Sequence, residues 1–381
     1  MSQQISLLDS SACRAPNSQG PTSSERVTSA HARLCFRHLP SPRLTLSPSL
    51  SAYLQMPTLI LPSHHLTSSI LHLATVNLTF LIHFYVHSSP PPTTSLSIPA
   101  SLSVPLLQCS NLLGLPPILT YATSVLWNVI STDPTLPFHP HTNLPTEVHH
   151  TFTGLESERQ FYLVSSLIEI HGVRALSIMR AALDEAFVGD DLALRRITGY
   201  LRKLTVAINE LEEVMGGMKA SGCDPAEFYW LIRPWFRGTD GGAGWLFEGA
   251  GESGGDERRS VSGPSAGQSS IVHSLDIFLG VDHTPKKKEE AGEGGKGKEN
   301  GKAGDEETFL QRMLQYMPGP HRRFLLHLQT SSPTIRELVL ANPGFGGGEL
   351  ARAFDETVTA MGKFRDGHST SAFVLRLVLP Q

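Results

Sequence analysis

Asp191–Lys219 reads DLALRRITGYLRKLTVAINELEEVMGGMK, and its apolar residues Ile197, Leu201, Leu204, Ile208, Leu211, Met215 and Met218 recur at alternating spacings of four and three. That alternation is a helical seam that can pack against neighbouring helices along its length. A seam sustained this far reads as bundle core in preference to a dimer interface, so a monomer is expected. Gly216, Gly217 and Gly222 weaken or end the helix. Asp224 can cap the next one, with Pro225 at its first position.

The neighbourhood is helical on both sides. Upstream, Glu156–His171 (ESERQFYLVSSLIEIH) is apolar around most of its circumference, the pattern of a deeply buried helix. Ser165 and Ser166 are then polar groups in a core and need partners, the simplest being the carbonyl four residues earlier. Downstream, Ser269–Leu279, Thr308–Met317, His321–Leu328, Pro333–Leu340 and Glu349–His368 are helical, followed by an apolar tail, Ala372–Leu379. Gly238–Gln268 is Gly- and Ser-rich and reads as a long loop. His283–Glu307 is rich in Lys, Glu and Gly and reads as a solvated insertion. From Thr151 onward the chain reads as all-α.

The first part is different. Between Leu44 and Thr132 there is no Asp, Glu, Lys or Arg, and the first lysine of the chain is Lys203. Residues 1–70 show no sustained period and propose no core; they read as disordered, or as an artefact of the gene model. Leu71–Val86 is a helix, too short for a membrane span and interrupted by His72, Asn77, Thr79 and His83, so a buried position is expected. Ser88–Pro99 is a Pro/Ser/Thr linker, and Val104–Ile130 holds two helix-like pieces broken at Pro116 and Pro117. Pro134–Pro145 is a loop in which His139 and His141 are solvated. The expected organisation is an N-terminal segment 1–70, a small helical domain 71–150, and a large helical domain 151–381 with a disordered insertion at 283–307.

With a net charge of −4 and a pI near 6.5, no bulk basic field points to nucleic acid. The four cysteines, Cys13, Cys35, Cys109 and Cys223, form no CxxC pair, which fits a reducing, cytoplasmic compartment.

Three features suggest chemistry. In Glu349–His368 (ELARAFDETVTAMGKFRDGH), Leu350, Phe354, Val358, Met361 and Phe364 form one helical stripe, and His368 continues it. A histidine ending such a stripe needs a partner for its ring: a backbone carbonyl, or a metal or haem iron bound through neutral imidazole. Arg365 and Asp366 lie beside it. In FYWLIRPWFRG (Phe228–Gly238), Arg233 sits among large apolar residues, either in a structural salt bridge or as a fork for a ligand carboxylate. In SAGQSSIVHSLDIFLG (Ser265–Gly280), a small-residue loop opens a helix, and Asp276 within that helix needs a cation, Arg365 being a candidate.

These stretches, with YMPGPHRRFLLHL (Tyr316–Leu328), TFTGLESERQFYLVSSLIEIHG and LLGLPPILTYATSVLWN upstream, resemble the indoleamine 2,3-dioxygenase family in order and composition, its fungal members above all. The resemblance covers roughly Leu71–His368. It implies an all-α fold in which a small N-terminal helical domain closes over a large haem-binding domain. It also implies haem b as cofactor, and O₂ with L-tryptophan or a related indoleamine as substrates. His368 falls on the proximal haem ligand, Arg233 on the substrate-carboxylate arginine and Phe228 on the aromatic that holds the indole. Tyr121, Ser124 and Val125 fall on the pocket wall of the small domain. Phe161 and Ser165 line the distal haem pocket, the serine matching the family's distal serine. Ser265 and Ala266 fall on the loop that covers the haem and contacts the substrate ammonium and a propionate. Asp276 and Arg365 fall on a pair beside the proximal side. No acid–base pair is demanded. Ser124 stands where animal members carry cysteine, and Ser369–Ser371 depart from the family's usual continuation. Two rivals are a haem-binding member without dioxygenase activity and a helical interaction scaffold resting on the Ile197–Met218 seam.

Overall fold

A computed structural model describes residues 57–61, 67–89, 96–239, 242–251, 255–281, 309–331 and 333–377. The expected disorder of most of residues 1–70 and of the 283–307 insertion lies outside the described residues. The chain is mainly helical. In order, the principal elements are α1 (Ser68–Ser88), β1 (Ser97–Ile98), α2 (Ala100–Leu113), β2 (Val129–Ser131), β3 (Pro145–Val148), α3 (Glu156–Val188), α4 (Asp191–Ala220), β4 (Trp245–Phe247), β5 (Glu257–Arg259), α5 (Ser270–Leu279), α6 (Phe309–Leu314), α7 (Gly319–Gln329), α8 (Ile335–Ala341) and α9 (Glu349–Leu377).

The seam of α4 is the centre of the bundle. Ile197, Leu201, Leu204 and Ile208 are 0% exposed, and α3 and α9 both lie along this helix. Gly189 ends α3 with φ +71° and Asp190 caps α4 by accepting from Ala193 N at 2.7 Å, so a two-residue connection makes the two helices antiparallel. Helix α9 runs alongside α4 in the same direction. Arg202 meets Glu349 at 3.6 Å, Thr205 Oγ1 and Thr357 Oγ1 are 2.9 Å apart, and a Cβ on Gly367 would lie 2.9 Å from Met215 Cε. Thr357, fully buried, also lies within hydrogen-bond distance of Leu201 O and Ala353 O, so its hydroxyl between the helices is satisfied.

Helix α3 is longer than the sequence reading, which stopped it at His171. It continues through Gly172 to Val188 because a neighbour needs the glycine: a Cβ there would lie 2.7 Å from Ile271 Cγ2. A glycine that lowers helix propensity is retained where another helix, α5, presses against the backbone. Helix α9 likewise runs through Ser369–Ser371 to Leu377, where a tail was expected. The Asp224 cap followed the sequence, accepting from Ala226 N and Glu227 N; Ser269 also caps its helix, accepting from Val272 N.

The region 238–268, read as loop, contains β4 and β5. β4 pairs in parallel with β1 (Ser97↔Leu246) and antiparallel with β5 (Trp245↔Arg259). Partners so far apart leave no local period to read. Trp245, Phe247 and Val261 thereby join an apolar cluster with Leu81, Ile98, Leu102 and Leu106, so this segment packs with α1 and α2. β2 and β3 form a separate hairpin across the 132–144 loop, where His139 and His141 are exposed as expected.

Helix α1 is long and apolar enough to cross a membrane, but most of it is buried within the protein. Several of its polar residues find partners there. Thr79 donates to Thr75 O at 2.8 Å, Asn77 Oδ1 meets His150 Nε2 at 2.5 Å, and His72 stacks on Trp127 at 4.0 Å.

Candidate active site

Two of the predicted pocket stretches adopt the same uncommon geometry. Ala122–Leu126 and Phe228–Ile232 are both π-helical turns, closed by Trp127 N–H to Ala122 O and by Arg233 N–H to Phe228 O. Such turns re-aim side chains relative to an α-helix and concentrate at functional sites. The second has a visible cause. Pro234 has no N–H to offer Trp230 O and would crowd it in an α-helix, so the turn widens before the proline and tightens to a 3₁₀ turn, Arg233–Phe236, at it. In the first, Ser124 is buried and donates to Thr120 O at 2.9 Å.

Side chains from three separate stretches meet between these turns. The Phe161 ring lies 4.6 Å from Phe228 and 5.9 Å from Phe236. Tyr121, Val125, Trp235 and Phe236 share one apolar cluster with Phe161. One turn beyond Phe161, Ser165 is 7% exposed. Neither it nor Ser166 makes a side-chain hydrogen bond among the described residues. The back-bond expected as their simplest partner is therefore not formed, although Ser274 and Thr198 make it elsewhere. Two hydroxyls on buried residues that make no hydrogen bond among the described residues are open to a ligand.

Arg233 does not sit in the apolar surroundings that the sequence suggested. It is exposed and not in a core, has no ion pair among the described residues, and stands over the Tyr229 ring at 5.4 Å. No structural salt bridge to a described residue forms there.

The Ser265–Ala266 loop is fixed from two sides. Ser265 caps the short turn Ala266–Gln268, accepting from Gly267 N at 3.2 Å. A Cβ on Gly263 would lie 1.7 Å from Phe236 O, and one on Gly238 would lie 2.2 Å from Val261 O. The loop and the Arg233 turn therefore cross backbone against backbone, which only glycine permits. On the other side Tyr121 N–H donates to buried Gln268 Oε1 at 2.8 Å, and Gln268 Nε2 donates to Gly263 O at 2.9 Å.

Glu169, one turn beyond Ser165, completes the arrangement. Its Oε1 accepts from Tyr121 OH at 3.1 Å and from Ser269 Oγ at 2.5 Å. Burial pushes its pKa up to about 7, the two hydroxyls opposing the rise. Sequence reasoning named neither Gln268 nor Glu169. The available signal was a carboxylate inside the apolar run SSLIEI, which demands a partner.

Arg365 of α9 contacts buried Asp276 of α5, as the sequence suggested. His368 lies in α9 three residues further on; its expected inward orientation lies outside the described side chains. Helices α3 and α9 both pack along α4. Among the described residues no cluster of three or more His, Cys, Asp or Glu is placed to hold a bare metal ion.

The family model for indoleamine 2,3-dioxygenase matches residues 41–378. Indoleamine 2,3-dioxygenase 1 of Mus musculus is 31% identical over 311 residues, covering 80% of this chain and 67% of that protein. The indoleamine 2,3-dioxygenase of Saccharomyces cerevisiae is 34% identical over 297 residues, covering 76% and 61%. A 6-hydroxytryptophan 2,3-dioxygenase of Fusarium equiseti is 29% identical over 302 residues, covering 77% and 66%. The chain thus spans 61% of the yeast relative and 67% of the mouse one. With the aromatic wall, the glycine crossing and the Asp276–Arg365 pair in place, these matches agree with the order of motifs along the sequence: the chain belongs to the indoleamine 2,3-dioxygenase family.

Proposed function

We propose that this chain is a haem-dependent dioxygenase that opens the indole ring of L-tryptophan, adding both atoms of O₂ across C2–C3 to give N-formylkynurenine. The observation that carries this reading is the convergence of Tyr121–Leu126, Phe161–Ser166 and Phe228–Phe236 on one aromatic-walled site. The residues fit a haem b group. Ser165 and Ser166 are buried residues whose hydroxyls make no hydrogen bond among the described residues and would be open to a ligand. His368 would hold the iron. The Asp276–Arg365 pair would stiffen the helix that carries it, as partners beyond the direct ligand do in metal sites.

When bound, the haem supplies the O₂ activation that side chains cannot. The rest falls to this chain. Phe161, Phe228, Tyr121 and Val125 would hold the indole ring and exclude water, turning an encounter into a fixed geometry. Arg233, with no competing ion pair, would take the substrate carboxylate in a two-pronged hydrogen bond. Ser265 and Ala266 would cover the ligand from the loop that Gln268 ties to Tyr121. No side chain is required to move a proton as acid or base. The same reading makes the protein a cytoplasmic monomer, which fractionation and light scattering would check.

The test is an absorption spectrum of the protein expressed with haem supply, with and without L-tryptophan. A Soret band that shifts with tryptophan, followed by N-formylkynurenine absorbance, supports the reading. A Soret band without turnover selects a haem-binding role, and no haem at all selects a scaffold. The Fusarium relative's name favours a second substrate, a ring-hydroxylated tryptophan. Comparing kcat/KM for tryptophan and 6-hydroxytryptophan decides between them.

A further inference from the structure

Helix α1 carries two histidines one turn apart that reach the Trp235–Arg237 backbone. His83 is 0% exposed. Its Nδ1 lies 2.8 Å from Trp235 O, and Leu119 N–H donates to its Nε2 at 3.2 Å. His87 Nε2 donates to Arg237 O at 3.1 Å, and Phe84 between them stacks on the Trp235 ring at 5.5 Å.

A carbonyl can only accept and an amide N–H can only donate. The two contacts of His83 therefore fix one form of the ring, neutral with its proton on Nδ1. Burial, with His87 nearby adding to it, pushes the His83 pKa down to about 3. Trp245, edge-on at 5.5 Å, and Phe152 at 6.3 Å close the ring in.

What matters is what the ring joins. Leu119 is two residues before Tyr121, and Trp235 is two residues after Arg233. Each anchor lies beside one of the two π-helical turns, and no strand or helix pairs those turns directly. We propose that His83 is a positioning residue for the substrate pocket: one ring bonded to both Leu119 and Trp235 sets the spacing between the turn bearing Tyr121 and Val125 and the turn bearing Phe228 and Arg233. The pocket assignment rests on the function proposed above; the coupling of the two turns does not. A residue needed only to fill the core would be replaceable by Met, which has similar bulk and neither hydrogen bond. Gln keeps one donor and one acceptor.

The experiment compares the unaltered full chain, His83→Met and His83→Gln, all expressed with haem supply. Amide hydrogen exchange is followed along the chain, and KM and kcat are measured for L-tryptophan. Losing a buried hydrogen bond predicts about ten-fold faster exchange in both 119–126 and 232–237 for His83→Met, with α4 unchanged. KM for L-tryptophan should rise about ten-fold while kcat changes by about two-fold or less. His83→Gln should restore most of both effects. The proposal is overturned if His83→Met lowers only the melting temperature, if only one of the two turns loosens, or if Gln behaves like Met. If the unaltered protein shows no response to L-tryptophan, the pocket reading falls. The exchange pattern by itself then upholds or overturns the coupling.

Discussion

Helix α4 and the turn Phe228–Phe236 are both rich in large apolar residues, yet they treat them in opposite ways. Along α4 the residues at spacings of four and three are sealed in the bundle, with Ile197, Leu201, Leu204 and Ile208 at 0% exposure. In the turn, Trp230 is 57% and Leu231 50% exposed, and the arginine among them is exposed as well. The difference is register. A regular period of about 3.6 keeps one face inward for thirty residues. A π turn followed at once by a 3₁₀ turn rotates successive residues off any common face. The bundle is thus held by many interchangeable apolar contacts. The pocket wall is held by a few specific bonds from distant residues: His83 to Trp235 and Leu119, Gln268 to Tyr121, Glu169 to Tyr121 and Ser269.

If that contrast is right, changes in the two regions should report in different measurements. The largest expected effect is His368→Ala. On the proposed reading it abolishes haem retention while circular dichroism and melting stay close to those of the haem-free protein. A variant that keeps a full, unshifted histidine-haem spectrum sinks the assignment.

Next is Leu204→Ala, which removes a fully buried side chain from the α4 seam. A cavity there should cost about 3–5 kcal/mol in unfolding free energy, read from denaturant midpoints. Tryptophan affinity of the remaining folded protein should be nearly unchanged. An affinity loss matching the stability loss would show that the bundle and the pocket are not separate.

Glu169 offers a third test, because its charge is buried. Its pKa rises from 4.5 to about 7 on folding. Below pH 4.5 both folded and unfolded states are protonated. Between the two values the folded state holds a proton that the unfolded state has released, so stability falls as pH rises; above about 7 the loss is complete. Glu169→Gln should remove that slope, leaving a difference from the parent on the order of 3 kcal/mol at pH 8 and little at pH 4. Parallel stability–pH curves for the two proteins would contradict the raised pKa.

The smallest effect expected is that of Arg233→Ala. Since the guanidinium is exposed and unpaired among the described residues, removing it should leave the melting temperature unchanged. L-Tryptophan affinity should drop by about 2 kcal/mol, with Arg233→Lys between the two. Indole derivatives without a carboxylate should be hurt far less. Equal losses for both ligand classes would refute the carboxylate role.

The sequence by itself determined what depends on neighbours a few residues away. The seam of α4, the cap at Asp224 and the mainly helical class are local patterns that appear where their spacing put them; in the α9 stripe Leu350, Phe354, Met361 and Phe364 are buried, and Val358 is exposed. The order of motifs was enough for the family. Only the tertiary structure decided the rest. It carried α3 past Gly172, because Ile271 occupies the place of a side chain there. It made a strand of 97–98 by pairing it with 245–247, about 150 residues away, and 245–247 pairs in turn with the nearby 257–259. It left Arg233 exposed, and it gave His83, Gln268 and Glu169 their partners. A helical period is written in one segment, whereas the partner of a buried polar group is chosen by whichever distant backbone the fold brings within about 3 Å.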